Sequence, residues 1–180
     1  MSTDAILGSD DESPLRDRPR AFDTIVYGGL AIGLLDITDA ITFFGLRNHL
    51  TPIQVLQSVA GGLLGRDAFK GGLKTALLGL FLHFFIATTI ATVYYGLSRI
   101  LPLLVRYAVL AGLIYGLLVY VVMTYIVVPN SAYGPRANPI PLAVSLNGVI
   151  GHALLIGLPV ALIARRSARK AISRSSEVAP

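Results

Sequence analysis

The sequence predicts an all-α integral membrane protein: a four-helix bundle with a short interfacial helix in its first outer loop. Three observations lead there. Four apolar runs, 24–46, 73–97, 105–128 and 141–164, each reach the ~20 residues that a bilayer-crossing helix needs. The runs are continuous rather than alternating, which argues against strands, and hydrocarbon demands a backbone satisfied within each segment. Charge is sparse: the 180 residues are 54% apolar with a mean hydropathy of +0.69, above ordinary globular usage. The chain has no cysteine, which excludes disulfides, thiolate metal sites and thiol catalysis.

Residues 1–23 are polar and rich in Asp, Ser and Pro, without the basic start, short apolar core and small-residue cleavage site of a secretory signal. They read as a retained, mostly disordered cytoplasmic tail, with the first run as an uncleaved anchor. After that run, "TPIQVLQSVAGGLLG" opens as a helix, with Thr51 as cap and Pro52 at the first helical position. Ile53, Leu56, Val59, Ala60 and Leu63 recur at helical spacing, so they should form the face it lays into the outer interface. A re-entrant loop is the alternative. "GRDAFKGG" then lifts the chain to the second run through Gly71 and Gly72, with Arg66 and Asp67 as a solvated charge pair. "SRILPL" is a tight turn that makes the second and third runs antiparallel neighbours. On the third run Ala108, Gly112 and Gly116 form a small-residue ladder, and on the fourth Ala153, Gly157 and Ala161 form another. Each is a helix-packing face or a dimer face. Pro159 should loosen the fourth helix near Leu155.

Basic residues set the orientation. The N-tail (Arg16, Arg18, Arg20), the second loop (Arg99, Arg106) and the basic tail 165–180 (Arg165, Arg166, Arg169, Lys170, Arg174) carry ten. The opposite side carries five: Arg47, Arg66, Lys70, Lys74 and Arg136. The positive-inside rule then puts both termini in the cytoplasm. The net charge of +5 lies beside apolar runs, so its expected partner is anionic lipid headgroups at the C-terminal tail, not nucleic acid. Tyr27, Tyr94, Tyr95, Tyr107 and Tyr125 fall near run ends as an interfacial belt, and His49 lies at the outer edge.

Inside this apolar frame, "GLLDITDAITFFGL" holds two carboxylates, Asp36 and Asp39. At ~100° per residue, Gly29, Gly33, Asp36 and Ala40 fall on one stripe, and small residues admit a neighbouring helix. Asp36 should therefore face protein, with Asp39 about a quarter turn round. His83 shares a face with Ala76, Gly79 and Ala87, and His152 shares one with Ser145, Gly148 and Pro159. Asp36, His83 and His152 each lie near the middle of their runs, with Tyr115 at a similar level. The expected result is a midplane polar layer of Asp36, Asp39, His83, Tyr115 and His152. An ionised Asp at that depth costs ~3 kcal/mol on insertion scales, against ~0.6 kcal/mol contributed by an average interhelical hydrogen bond. Structural glue and a proton- or solute-handling site both account for the layer; for Asp39 or Asn147 alone, glue suffices.

Four stretches, "LLDITDAITFFGLR", "PIQVLQSVAGGLLGRDAF", "LLGLFLHFFIATTIATVYYGLSR" and "GLLVYVVMTYIVVPNSA", carry a resemblance that covers most of the chain between its tails. There the sequence resembles a family of small, uncharacterised bacterial inner-membrane proteins with four predicted transmembrane helices. The resemblance implies that membrane and that topology. It assigns no activity and no residue role.

Function is therefore expected from the layer alone, as proton or small-solute handling with no cofactor. Four helices enclose little aqueous volume, which favours a homodimer or larger assembly. One alternative is a membrane haem- or metal-binding protein: His83 and His152 each follow a glycine by four residues, Gly79 and Gly148, leaving room for a flat ring between two imidazoles. Asp36 and Asp39 with the two histidines have the chemistry of metal ligands. Another alternative is a non-catalytic accessory or scaffold protein. An enzyme is the least supported, since there is no G-x-S-x-G, no H-E-x-x-H and no phosphate-cradling loop.

Overall fold

The computed structural model describes residues 20–135 and 137–177, with side chains to Arg169. The expected tail up to residue 19, Arg136 and the side chains of Lys170 and Arg174 lie outside the described residues. Among the described residues all regular structure is helical. Helix α1 is Asp23–Asn48, α2 is Pro52–Leu64, α3 is Gly72–Ile100 and α4 is Ala108–Val127. Helix α5 covers 142–177, as Leu142–Gly151, a wide π-helical segment His152–Gly157, and Leu158–Glu177. Helices α1, α3, α4 and α5 are each long and apolar enough to cross a membrane.

Two boundaries differ from expectation. The third run does not start its helix at Val105: Leu103–Arg106 is a separate turn, and Tyr107 (φ −105°, ψ 44°) breaks the backbone before Ala108. The fourth helix does not stop at Ala164. Nothing in "RRSARKAISR" breaks a helix, and α5 continues to Glu177. Ser167 and Ala168 are buried in that extension, and the Arg20 backbone N–H donates to Ser167 Oγ at 2.7 Å.

Glycines decide which helices touch. Gly29 of α1 lies against Thr88 of α3, and Gly33 against Phe84 and Ala87. Gly28 meets Val160 of α5. The two small-residue ladders pack on each other: Gly112 of α4 faces Gly157 and Ala161 of α5, and Gly116 faces His152 and Ala153. They are an intramolecular joint and leave no small-residue face there for a dimer. Helices α3 and α4 are neighbours through aromatic side chains rather than backbone. Tyr94 and Tyr115 stand edge-to-face with ring centroids 5.0 Å apart. Tyr115 donates to the Ile90 carbonyl at 2.7 Å, and Tyr94 to that of Leu104 at 3.1 Å. The bundle closes in the order α3, α1, α5, α4.

Helix α2 starts as expected, with Thr51 and Gln54 in a reciprocal capping box and Pro52 in the first turn. It follows directly on the end of α1, where His49 takes a left-handed conformation (φ 54°). Of the expected apolar face Ile53 and Leu63 are exposed and Ala60 is buried; the inward face is Val55, Gln57, Ala60 and Gly61. The reason is a close approach: the Leu56 carbonyl sits where a side chain at Gly79 of α3 would be. Gln57 is buried because Nε2 donates to the Gly72 carbonyl at 2.9 Å, at a turn with φ +58°. The loop after α4 latches onto the same helix, with Tyr133 Oη donating to the Ser58 carbonyl at 2.9 Å. In the turn Gly65–Lys70, Asp67 pairs with Lys70 at 2.7 Å and not with Arg66; Lys70 holds its carboxyl below the usual range.

The exterior is apolar. Phe81, Phe85, Leu110, Ile114 and Leu118 are all more than half exposed. Tyr27, Tyr107 and Tyr125 are exposed near helix ends, as a belt requires. Tyr94 is fully buried and belongs to the core instead.

Candidate functional site

Helix α1 carries Asp36 one turn beyond Gly33, and α3 approaches at that glycine. The approach brings His83 Nε2 to 2.8 Å from the Gly33 carbonyl oxygen. A carbonyl only accepts, so Nε2 carries the proton and donates. The other ring nitrogen, Nδ1, is then the basic one in a neutral imidazole, and it faces Asp36 Oδ2 at 3.9 Å. That separation is too long for a direct hydrogen bond. Two acceptors thus look at each other across a gap that a proton, a water or a cationic donor would reconcile. Among the described residues the Asp36 carboxylate has no hydrogen bond.

His152 arrives from α5 as the first residue of the π-helical segment, directly upstream of Pro159. Proline removes one backbone donor and crowds the carbonyl four residues earlier, so the helix is widened around Leu155, as Pro159 led one to expect. The His152 ring stands edge-to-face on Tyr120 of α4 at 5.5 Å. It lies close enough to interact electrostatically with both Asp36 and Asp39.

Asp36, His83 and His152 line one hollow of about 340 Å³, whose remaining walls are mostly apolar and include Ile37, Phe44, Ile86 and Met123. A second hollow of about 220 Å³ shares Asp36, Ala40, Phe44, Thr124 and His152 with it and adds Asp39, Tyr120 and Asn147. Here Asn147 Nδ2 donates to Asp39 Oδ2 at 2.8 Å. A third hollow, about 350 Å³ and more open, lies against Pro129, Asn138 and Ser145 and shares Thr124 and Ile140 with the second. The three form a chain from the loop between α4 and α5 to Asp36.

Of the expected layer, the fold brings Asp36, His83 and His152 together and sets Asp39 beside them. Tyr115 is not part of it. Its hydroxyl is committed to Ile90 and its ring to Tyr94, because it fills the gap between α3 and α4. Equal depth did not imply equal direction. Sequence reasoning missed Thr124, which is buried and borders all three hollows, and the Gly33 carbonyl, which fixes the His83 tautomer. A threonine in an apolar run is a faint signal, and a backbone carbonyl gives none.

The space expected for a flat cofactor ring is filled by protein. A side chain at Gly79 would meet the Leu56 carbonyl, and one at Gly148 would meet the Tyr120 ring at 2.5 Å. His83 could ligate through Nε2 only by giving up Gly33. Among the described residues no three His, Asp or Glu side chains converge as a metal site.

No protein family, curated protein or solved structure matches the chain.

Proposed function

We propose that this chain is a multi-pass protein of the bacterial inner membrane, with both termini cytoplasmic, that handles protons or a small solute at the Asp36–His83–His152 hollow. The apolar exterior supports the membrane setting: contiguous exposed Leu, Ile and Phe surface on this scale is foreign to a soluble monomer. The uneven spread of Lys and Arg supports the orientation. Arg165, Arg166 and Arg169 at the end of α5 suit anionic headgroups. A homodimer would use a face other than the glycine ladders, which are occupied within the chain.

One observation carries the functional reading: His83 Nδ1 and the Asp36 carboxylate, free of other hydrogen bonds, face each other inside the bundle. A proton reaching Asp36 makes the neutral acid. Through one bridging water it passes to Nδ1, leaving carboxylate and imidazolium, and Nε2–H stays on Gly33 throughout. The reverse transfer restores the starting state. His152, from α5, lines the same hollow and brings a second imidazole to it.

The test is vesicles containing the purified chain, a trapped pH-sensitive dye and an imposed pH gradient. The wild type should dissipate the gradient faster than protein-free vesicles, and Asp36→Asn should lose at least tenfold of that excess rate. Equal rates for wild type and a correctly folded Asp36→Asn would refute the proposal.

A further inference from the structure

We infer that the same hollow binds a small amphipathic monocation, a protonated amine with an apolar body; this rests on the hollow being functional. Three features of its walls select that chemistry. The first is sign. The charged or titratable groups facing Asp36 are Asp39 from its own helix, His83 from α3 and His152 from α5. Helix α2 contributes Val55, Ser58 and Val59, and α4 contributes Met123 and Thr124, with Val128 just after its end and Tyr120 on the adjoining hollow. Among the described residues no Lys or Arg lines any of the three hollows, and the charge that faces Asp36 most closely from its own helix is a second carboxylate.

The second feature is hydrogen-bonding capacity. Asp36 accepts only, and His83 Nδ1 accepts whenever the ring is neutral, because Nε2 is the nitrogen that donates to Gly33. The complement is a donor with charge, and an ammonium group brings three N–H bonds.

The third feature is the rest of the wall. Ile32, Ile37, Phe44, Ile86 and Ile156 line the hollow along with the carboxylate, and about 340 Å³ lies at the lower end of small-molecule pockets. A bare Ca²⁺ or Mg²⁺ ion would need about six oxygen ligands to replace its water, and among the described residues not even three His, Asp or Glu side chains converge to hold a metal. An organic ammonium needs only the carboxylate and an apolar place for its body. Asp36 can hold a proton or the ammonium but not both, so binding one displaces the other.

Benzylammonium is a suitable probe, titrated calorimetrically into the full-length chain in mild detergent, with benzyl alcohol and benzoate as controls of matching shape. The expected result is saturable one-to-one binding of benzylammonium, at least tenfold weaker binding of benzyl alcohol, and none of benzoate. Affinity should fall on acidification, approaching tenfold per pH unit once Asp36 is protonated. Asp36→Asn should lose at least tenfold. Where that variant fails to stay monodisperse, Ala40→Leu, which narrows both inner hollows without touching a carboxylate, should lose as much. Benzoate or the alcohol binding as tightly as the amine, or wild-type affinity in the folded variant, would overturn the inference. Gradient dissipation without amine binding would overturn this site alone and leave the proton reading standing. Amine binding without dissipation would uphold the site and overturn the relay.

Discussion

Gly157→Leu is expected to prevent α4 and α5 from docking and to abolish recovery of a monodisperse protein. A side chain at 157 would occupy the position of the Gly112 carbonyl and come within 2.7 Å of the Gly116 Cα. Every obstacle is backbone, so no rotamer change relieves the clash. Overpacking ordinarily costs about 1–3 kcal/mol, and a purely backbone contact belongs at or beyond the upper end. In the proposed membrane setting close packing is also the main force between helices, so little else compensates. Gly96 supplies the control. Nothing lies within 4 Å of a side chain added there, and Gly96→Ala should melt at or above the wild-type temperature because alanine favours the helix. Thermal melting by circular dichroism with size-exclusion profiles reads both variants. A Gly157→Leu protein that elutes and melts like wild type would show that the ladders do not face each other.

His83→Gln is expected to keep the fold and stop the proton. The glutamine amide can supply an N–H to the Gly33 carbonyl, replacing the 2.8 Å bond, but it has no basic nitrogen to face Asp36. Loss of a positioned acid–base group typically lowers a proton-transfer rate by about 10²–10⁴-fold, so gradient dissipation should fall to near the protein-free level. His83→Ala removes both the donor and the acceptor and should lower stability as well. The pair separates chemistry from packing: a stable, silent His83→Gln assigns His83 to proton transfer, whereas a stable and fully active one assigns it to packing.

Much of this architecture was legible in the residues because bilayer-length helices are specified by simple periodicities. Run length located the four long helices, and four-residue spacing of small residues marked both faces of the α4–α5 joint without pairing them. Gly29 and Gly33 correctly turned Asp36 inward. What failed were inferences that needed azimuth or partner identity. Tyr115 lies at the right level but points to α3, since two tyrosines were needed to fill a gap that the tight turn leaves open. Tyr94 was placed in the belt by its position near a run end, yet its hydroxyl found the Leu104 carbonyl and its ring the core. On α2 the exposed Ile53 and Leu63 agree with an outward apolar face, but the backbone contact at Gly79 and the buried Gln57 that seat the helix left no mark in its apolar spacing. Asp39 and Asn147 are 108 residues apart in the chain and make one hydrogen bond, for which neither residue alone gave a sign.

Asp36 and His83 meet inside the bundle with Nδ1 toward the carboxylate. Solid-state NMR on the chain in lipid vesicles, with ¹³C-labelled aspartate and ¹⁵N-labelled histidine, measures it directly, since only three histidines need assignment. The structure predicts a dipolar coupling between the Asp36 carboxyl carbon and His83 Nδ1, with Nε2 as the protonated nitrogen of the neutral ring. A coupling to Nε2 instead, or none to either nitrogen in a folded sample, would contradict it.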